Sequence, residues 1–309
     1  MLKKVVVSLG IIGIVLGSSI PAYAASTKEI DVKKELEVVA KDYGKTFHQL
    51  PESAFSLNWT TRNGSYYLDN LAAYSENWAT LDKVEMGQSK YLTAGSKTLD
   101  NSTSKEQPLT TDSIALEYAN SLSTATTHGV KLGYSATATM TFPFVSGSMT
   151  TSAEYNFSTT STGTKSEKIT YTSPSQTFNV PANTTYIVEQ SLEIGKATGT
   201  ILLNNRISPD FRECYGRVVT TDTIDYPTIK AGEALRQLRT RNASAAPNLI
   251  LEDNNAIVAQ GTGTFEAEYG TNFKVKVYEV QNVNGRSLLS KKKLVKELTV
   301  PAVITSEQR

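Results

Sequence analysis

Side chains suited to covalent or metal chemistry are scarce in this sequence. Among its 309 residues are two histidines, His48 and His128, and a single cysteine, Cys214. With only two imidazoles a multi-histidine zinc site is not expected, and a lone thiol has no intrachain disulfide partner. There is no Gly-x-Ser-x-Gly elbow, no His-Glu-x-x-His, no phosphate loop and no Gly-rich dinucleotide turn. Carboxylates are scattered, so acid/base chemistry has no visible constellation. These features predict no enzyme, no cofactor and no metal. His48, next to Phe47, reads as structural or exposed rather than catalytic, and His128 stands in a Thr-rich setting.

The spacing that does carry physical chemistry lies between Ser121 and Val180. There 26 of 60 residues are Ser or Thr, and only Lys131, Glu154, Lys165, Glu167 and Lys168 are charged. Such composition alone resembles a low-complexity tract, but this segment alternates strictly, which a disordered tract has no reason to do. Val130, Leu132, Tyr134, Ala136, Ala138, Met140, Phe142 and Phe144 take every second place. Between them stand Lys131, Gly133, Ser135, Thr137, Thr139, Thr141 and Pro143. Successive side chains of a strand point to opposite faces, so one face is apolar and the other hydroxyl-lined. After the turn-like Val145-Ser146-Gly147-Ser148 the pattern resumes, with Met149, Thr151, Ala153, Tyr155 and Phe157 on one side and Thr150, Ser152 and Glu154 on the other. A hairpin closing at 145–148 puts both apolar sets on one face.

Each arm reaches the roughly 9–11 residues that a tilted transmembrane strand needs. The pattern by itself also fits a hairpin on a soluble antiparallel sheet. If it enters lipid, it cannot do so singly, because its outer edges would leave backbone N–H and C=O groups unpaired. Closure removes the edges. Single-chain barrels start at about eight strands, so two strands per chain require at least four chains, and a soluble state must cover the apolar face.

Several stretches resemble the epsilon-toxin and mosquitocidal-toxin branch (ETX/MTX2) of the aerolysin-like β-pore-forming toxins. They are Thr124-Ala125-Thr126-Thr127-His128, Thr141-Phe142-Pro143-Phe144, Met149-Thr150-Thr151-Ser152 and Lys165-Ser166-Glu167-Lys168-Ile169-Thr170. The strongest is Ser173-Pro174-Ser175-Gln176 with Val180-Pro181-Ala182-Asn183-Thr184-Thr185. The match is good over about 121–203 and weak on either side. The resemblance implies a mainly β, elongated antiparallel protein with a tucked hairpin at 130–157 that becomes a transmembrane barrel in a heptamer or octamer. Lys131, Ser135, Thr137, Thr139, Thr141, Thr150, Ser152 and Glu154 would then face the lumen. Strands over 121–129 and 158–173 would form the barrel wall outside the membrane. The partners implied are a target-cell membrane, an unidentified receptor, further copies of the chain and an activating protease.

Other elements must position this hairpin. Met1 to Lys4 is a basic start, Val5 to Ile20 is mostly apolar, and Pro21-Ala22-Tyr23-Ala24 is an A-x-A-like cleavage site, so residues 1–24 read as a signal peptide and the chain as secreted. Ser26 with Glu29 forms a capping box for a helix over 26–43 that Gly44 ends. A second helix is expected over 231–241. Long strands are expected over 185–203 and 265–280, and no helix–strand rhythm points to a parallel sheet. The aromatic cluster Trp59, Tyr66, Tyr67, Tyr74 and Trp78 serves equally as small-domain core or as a receptor-docking patch. Lys291, Lys292, Lys293 and Lys296 mark either a lysine-guarded edge strand or, by analogy with lookalikes that shed a C-terminal peptide, a protease site. The expected regions are 25–115 (helix and receptor-binding part, completed by part of 206–250), 116–205 (β body with the hairpin) and 206–309 (with a cleavable tail from about 286).

Net charge is +1, which argues against nucleic acid as a partner. The competing function is a secreted lectin-like or adhesin module, which has no need of two membrane-length arms.

Overall fold

A computed structural model describes residues 29–48, 75–142, 151–157, 162–212, 217–220, 223–225, 228–281 and 291–306. The signal peptide expected at 1–24 and Cys214 lie outside these residues. Strand β1 (Ile30–Asp31) leads into helix α1 (Val32–His48), followed by β2 (Ser75–Met86), β3 (Lys90–Asn101), β4 (Gln107–Thr110) and β5 (Ile114–His128). Next come β6 (Val130–Lys131), β7 (Thr137–Phe142), β8 (Thr151–Asn156), β9 (Thr162–Ser173) and β10 (Thr177–Val180). The long β11 (Thr184–Ile207) precedes the short β12 (Asp210–Arg212), β13 (Arg217–Thr220), β14 (Thr223–Asp225) and β15 (Thr228–Lys230). Helix α2 (Ala231–Arg241), β16 (Leu249–Leu251), β17 (Ile257–Gln281), β18 (Lys291–Pro301) and β19 (Val303–Ser306) complete the chain.

Two strands organise everything else. β11 and β17, of 24 and 25 residues, pair antiparallel from Tyr186 opposite Glu279 to Ile207 opposite Ile257. At about 3.3 Å per residue each spans about 80 Å. β2 and β3 line successive halves of β11, while β5 and β18 line successive stretches of β17; β9 continues from β5, and β19 from β9. The segments 25–115, 116–205 and 206–309 thus all lend strands to one sheet.

The apolar residues gather in two clusters along these strands. Ala197, Ile201, Leu203, Phe265 and Ala267 belong to one, with both helices and the hairpin. Val188, Leu192, Phe273 and Val275 belong to the other, with Ile169 and Tyr171 of β9. Near Tyr171 the buried Asn120 amide donates to the Tyr171 hydroxyl at 2.7 Å, and its oxygen accepts the Gly270 N–H at 3.1 Å.

Helix α1 departs from expectation at both ends. It starts at Val32, with Asp31 rather than Ser26 as the cap: the Asp31 Oδ1 accepts the Lys34 N–H at 3.3 Å. It also runs through Gly44 to His48, because the buried stripe Val32, Leu36, Val39, Ala40 and Tyr43 continues to Phe47, whose ring lies 5.1 Å from that of Tyr43. Helix α2 occupies 231–241 as expected. It buries Ala234, Leu235 and Leu238 and packs on α1, with the Arg241 guanidinium 6.0 Å from the Phe47 ring.

Candidate functional site: the tucked hairpin

β7 and β8 pair antiparallel, Thr137 opposite Asn156 through Phe142 opposite Thr151. The alternation read from the sequence sorts their faces. Ala136, Ala138, Phe142, Tyr155 and Phe157 are at most 5% exposed, and Met140, Ala153 and Tyr134 pack partly buried against the same cluster. Thr137, Thr139, Thr141 and Glu154 are exposed, and Ser152 is half-buried. The apolar face is therefore covered by the body while the hydroxyl face meets solvent. Phe144, Met149 and Thr150 lie outside the described residues.

The hairpin doubles back on the strand that leads into it. At its base Val130 lies by Gly261, where a Cβ would come within 3.1 Å of the Val130 side chain. Further along, the Tyr155 hydroxyl donates to the Thr264 carbonyl at 3.4 Å, and the Phe142 ring stands 4.8 Å from that of Phe265. Phe265 sits opposite Thr124 of β5, so β7 retraces β5 toward its start. Gly263 permits this close layer: a Cβ there would sit 3.0 Å from the Tyr155 ring and 3.0 Å from Ile201.

One expectation needs correction. Residues 130–142 do not form one continuous strand in this state. Val130 and Lys131 form β6, paired in parallel with β1, and regular pairing resumes only at Thr137. Between them Leu132 is buried, Ser135 is exposed, and Gly133 takes φ +80°, the left-handed region that glycine enters without a Cβ penalty. Lys131 forms an ion pair with Asp31 at 3.7 Å. The isolated glycine was the available signal for such a break in a strand pattern.

The other expected sites fall elsewhere. Trp59, Tyr66, Tyr67 and Tyr74 lie outside the described residues, while Trp78 is half-buried on β2, opposite Asn204. Lys291, Lys292, Lys293 and Lys296 lie on β18, paired to β17. Lys292 forms an ion pair with Glu189 at 2.8 Å, and its ammonium stands 5.6 Å from the Tyr278 ring. The described residues hold no helix long and apolar enough to cross a membrane, which says nothing of strands.

Residues 55–288 match the family model of Clostridium epsilon toxin ETX and Bacillus mosquitocidal toxin MTX2. The chain belongs to the ETX/MTX2 family. Among solved structures it is similar to the Mpp75Aa1.1 beta-pore-forming protein from Brevibacillus laterosporus, at 28% identity and a TM-score of 0.71 over 91% of this chain and 98% of that one. A non-toxic crystal protein from Bacillus thuringiensis is a weaker likeness, at 17% identity and a TM-score of 0.49 over 84% of this chain and 100% of that one. No curated protein matches the chain in sequence. ETX/MTX2 proteins are β-pore-forming toxins that act on membranes without enzymatic chemistry.

Proposed function

We propose that this ETX/MTX2 protein is a secreted toxin that binds a receptor on a target cell, assembles into a ring of seven or eight copies and inserts one hairpin per copy into a shared transmembrane β-barrel. The observation that carries this is the sorting of the hairpin. The face that alternation assigns to lipid is the one the soluble protein covers, and the face assigned to the lumen is already in water. In the barrel Val130, Leu132, Tyr134, Ala136, Ala138, Met140, Phe142, Phe144, Met149, Thr151, Ala153, Tyr155 and Phe157 meet lipid. Strands β5 and β9, paired from Ile114 opposite Ser173 to Ala125 opposite Thr162, supply the wall above it.

The receptor-binding part is assigned to 25–115 completed by part of 206–250. Its support is the aromatic content of 59–78 and the packing of α1 on α2. A trypsin-like cut near Lys291 to Lys296 is the activation step. It removes β18 and β19, which cover the edges of β17 along Asn272–Gln281 and of β9 along Ile169–Thr172. Freed edges are ready-made pairing surfaces for a neighbouring subunit.

The test uses an environment-sensitive dye on single cysteines, in a Cys214→Ser background, at Met140 and Ala153 and, separately, at Thr139 and Ser152. On membranes the first pair moves into a lipid-quenchable environment and the second stays aqueous, while cells or liposomes release an entrapped dye. Identical quenching at all four positions overturns the assignment.

A further inference from the structure

Phe157 takes part in two strand registers at once. Its carbonyl accepts the Val130 N–H at 2.8 Å, while its own N–H donates to the Ala136 carbonyl at 3.0 Å. The first bond continues the body register, in which Ala125 stands opposite Thr162; the second continues the hairpin register, in which Thr137 stands opposite Asn156. The two registers differ by six residues. Eleven residues connect Ala125 to Thr137 on the first arm, and five connect Asn156 to Thr162 on the second. A ribbon that folds back needs unequal arms, because one runs around the outside of the bend. A straight ribbon has no use for the surplus.

That surplus, Lys131 to Ser135 with Gly133 at positive φ, is held in place by the N-terminal strand. β1 pairs with β6, the Ile30 N–H donates to the Gly129 carbonyl at 3.2 Å, and Asp31 pairs with Lys131. We infer that the looped-out 131–135 segment is a register reservoir, and that forming the pore takes it up by a six-residue slip of β9 along β5 once β1 has let go.

Three observations favour the slip over retention of the body register. Continued to the tip, the body register would leave Pro143 and Phe144 as a two-residue turn, which needs positive φ at its first central residue, a conformation closed to proline. The hairpin register would instead leave Ser146 and Gly147 there, a type I′ pair in which serine, unlike proline, is not barred from positive φ and glycine takes the second positive-φ position. Six is an even number, so every side chain of β9 keeps its face. Among the described residues of this sheet β9 is bonded to β5 and β19, so its slip leaves β5 on β17, although it must also part β10 from β4, which carry the same register on from Thr110 opposite Thr177.

The inference rests on the pore-forming reading of the hairpin, and disulfide mapping in the full-length protein separates the two. In a Cys214→Ser background, one variant carries Ala125→Cys with Thr162→Cys, opposite each other in the soluble register; another carries Ala125→Cys with Lys168→Cys, opposite each other only after the slip. The first pair should crosslink in soluble protein and the second in membrane-assembled pores. Oxidising the first before membrane addition should cut dye release at least tenfold, with reductant restoring it. Pores that release dye yet crosslink 125 to 162, or that crosslink neither pair, overturn the slip and leave pore formation standing. Reduced variants and the parent that all fail to release dye from susceptible cells overturn both.

Discussion

The ring of Phe142, at the described end of β7, lies 4.8 Å from the ring of Phe265 on β17, tilted by 52°. The two residues stand 123 positions apart in the chain, and both are buried. This contact holds down the described end of β7. Phe265→Ala should lower the unfolding free energy by about 3–5 kcal/mol, as large-to-small core changes do, and should shorten the lag before dye release. A denaturant titration and a release time course check both, and a normal lag in a destabilised variant would show that this contact does not restrain the hairpin.

Charge on the hydroxyl face should set ion selectivity. Glu154 stands opposite Thr139, and both are exposed in the soluble protein. Glu154→Lys should therefore leave folding intact and shift the reversal potential of single pores toward anions. On the other face Ala138 and Tyr155 are too buried for a clean test, since a charge there would disturb the soluble fold first. Met140→Arg, at a half-buried position, should block insertion at a cost of about 2–4 kcal/mol per subunit at the bilayer midplane. Equal conductance changes from both substitutions would contradict the face assignment.

Two glycines should respond very differently to alanine. A Cβ on Gly199 would lie 2.0 Å from the Lys83 carbonyl and 2.7 Å from the Phe265 ring, whereas one on Gly163 meets nothing nearer than 3.6 Å. Gly199→Ala should destabilise the protein by about 1–3 kcal/mol or more, the usual cost of overpacking. Gly163→Ala should stay within about 0.5 kcal/mol of the parent. Thermal melts of the pair decide it.

Acid should loosen the region around α2. Backbone N–H groups of Asn255 and Ala256, at 2.6 and 2.7 Å, and then Arg206 hold the Asp253 carboxyl below its ordinary value. Hydrogen bonds from Arg236 and then Gln237 do the same for Glu233. Depressed carboxylates contribute stability that is present above their ordinary values and lost as pH falls through the lower folded ones. Asp253→Asn with Glu233→Gln should flatten the dependence of melting temperature on pH in that range. Parallel curves for variant and parent would place the acid sensitivity elsewhere.

Mass spectrometry of trypsin-treated protein should show loss of the C-terminal tail, followed by assembly. Because β18 is hydrogen-bonded along β17, cutting should be slow and should speed up when the ion pair of Lys292 with Glu189 is removed. Replacing Lys291, Lys292, Lys293 and Lys296 together by Gln should keep the treated protein monomeric by size exclusion. Normal assembly of that variant would put activation at another site.

The period of two in the hairpin and the edges of α2 were legible in the sequence because both rest on local pattern. So were the long strands, although β17 begins eight residues earlier than its apolar run at Phe265 suggests. The fold-back was not legible, since it depends on Phe142 meeting Phe265 and Tyr155 meeting Gly263, contacts more than 100 residues apart. The break at 131–135 was hidden for a related reason. Val130, Leu132, Tyr134 and Ala136 keep the strand period through it, and only Gly133 betrays the bend. The start of α1 at Val32, with Asp31 as its cap, depends on β1 docking beside β6, again a distant partner.

The alternation of the hairpin has a thermal consequence. In the proposed pore its hydroxyl face would touch water as it does in the soluble protein, and its apolar face would pass from protein interior to hydrocarbon, so on neither side would greasy surface become hydrated. Hydration of apolar area is what raises heat capacity when proteins open. Moving the hairpin should thus contribute almost nothing to that quantity. Any increase measured during the transition belongs to the trough it vacates, lined by Ile201, Leu203 and Phe265. Calorimetry of the transition on lipid vesicles would then register the exposure of the toxin's body, and the hairpin itself would stay silent.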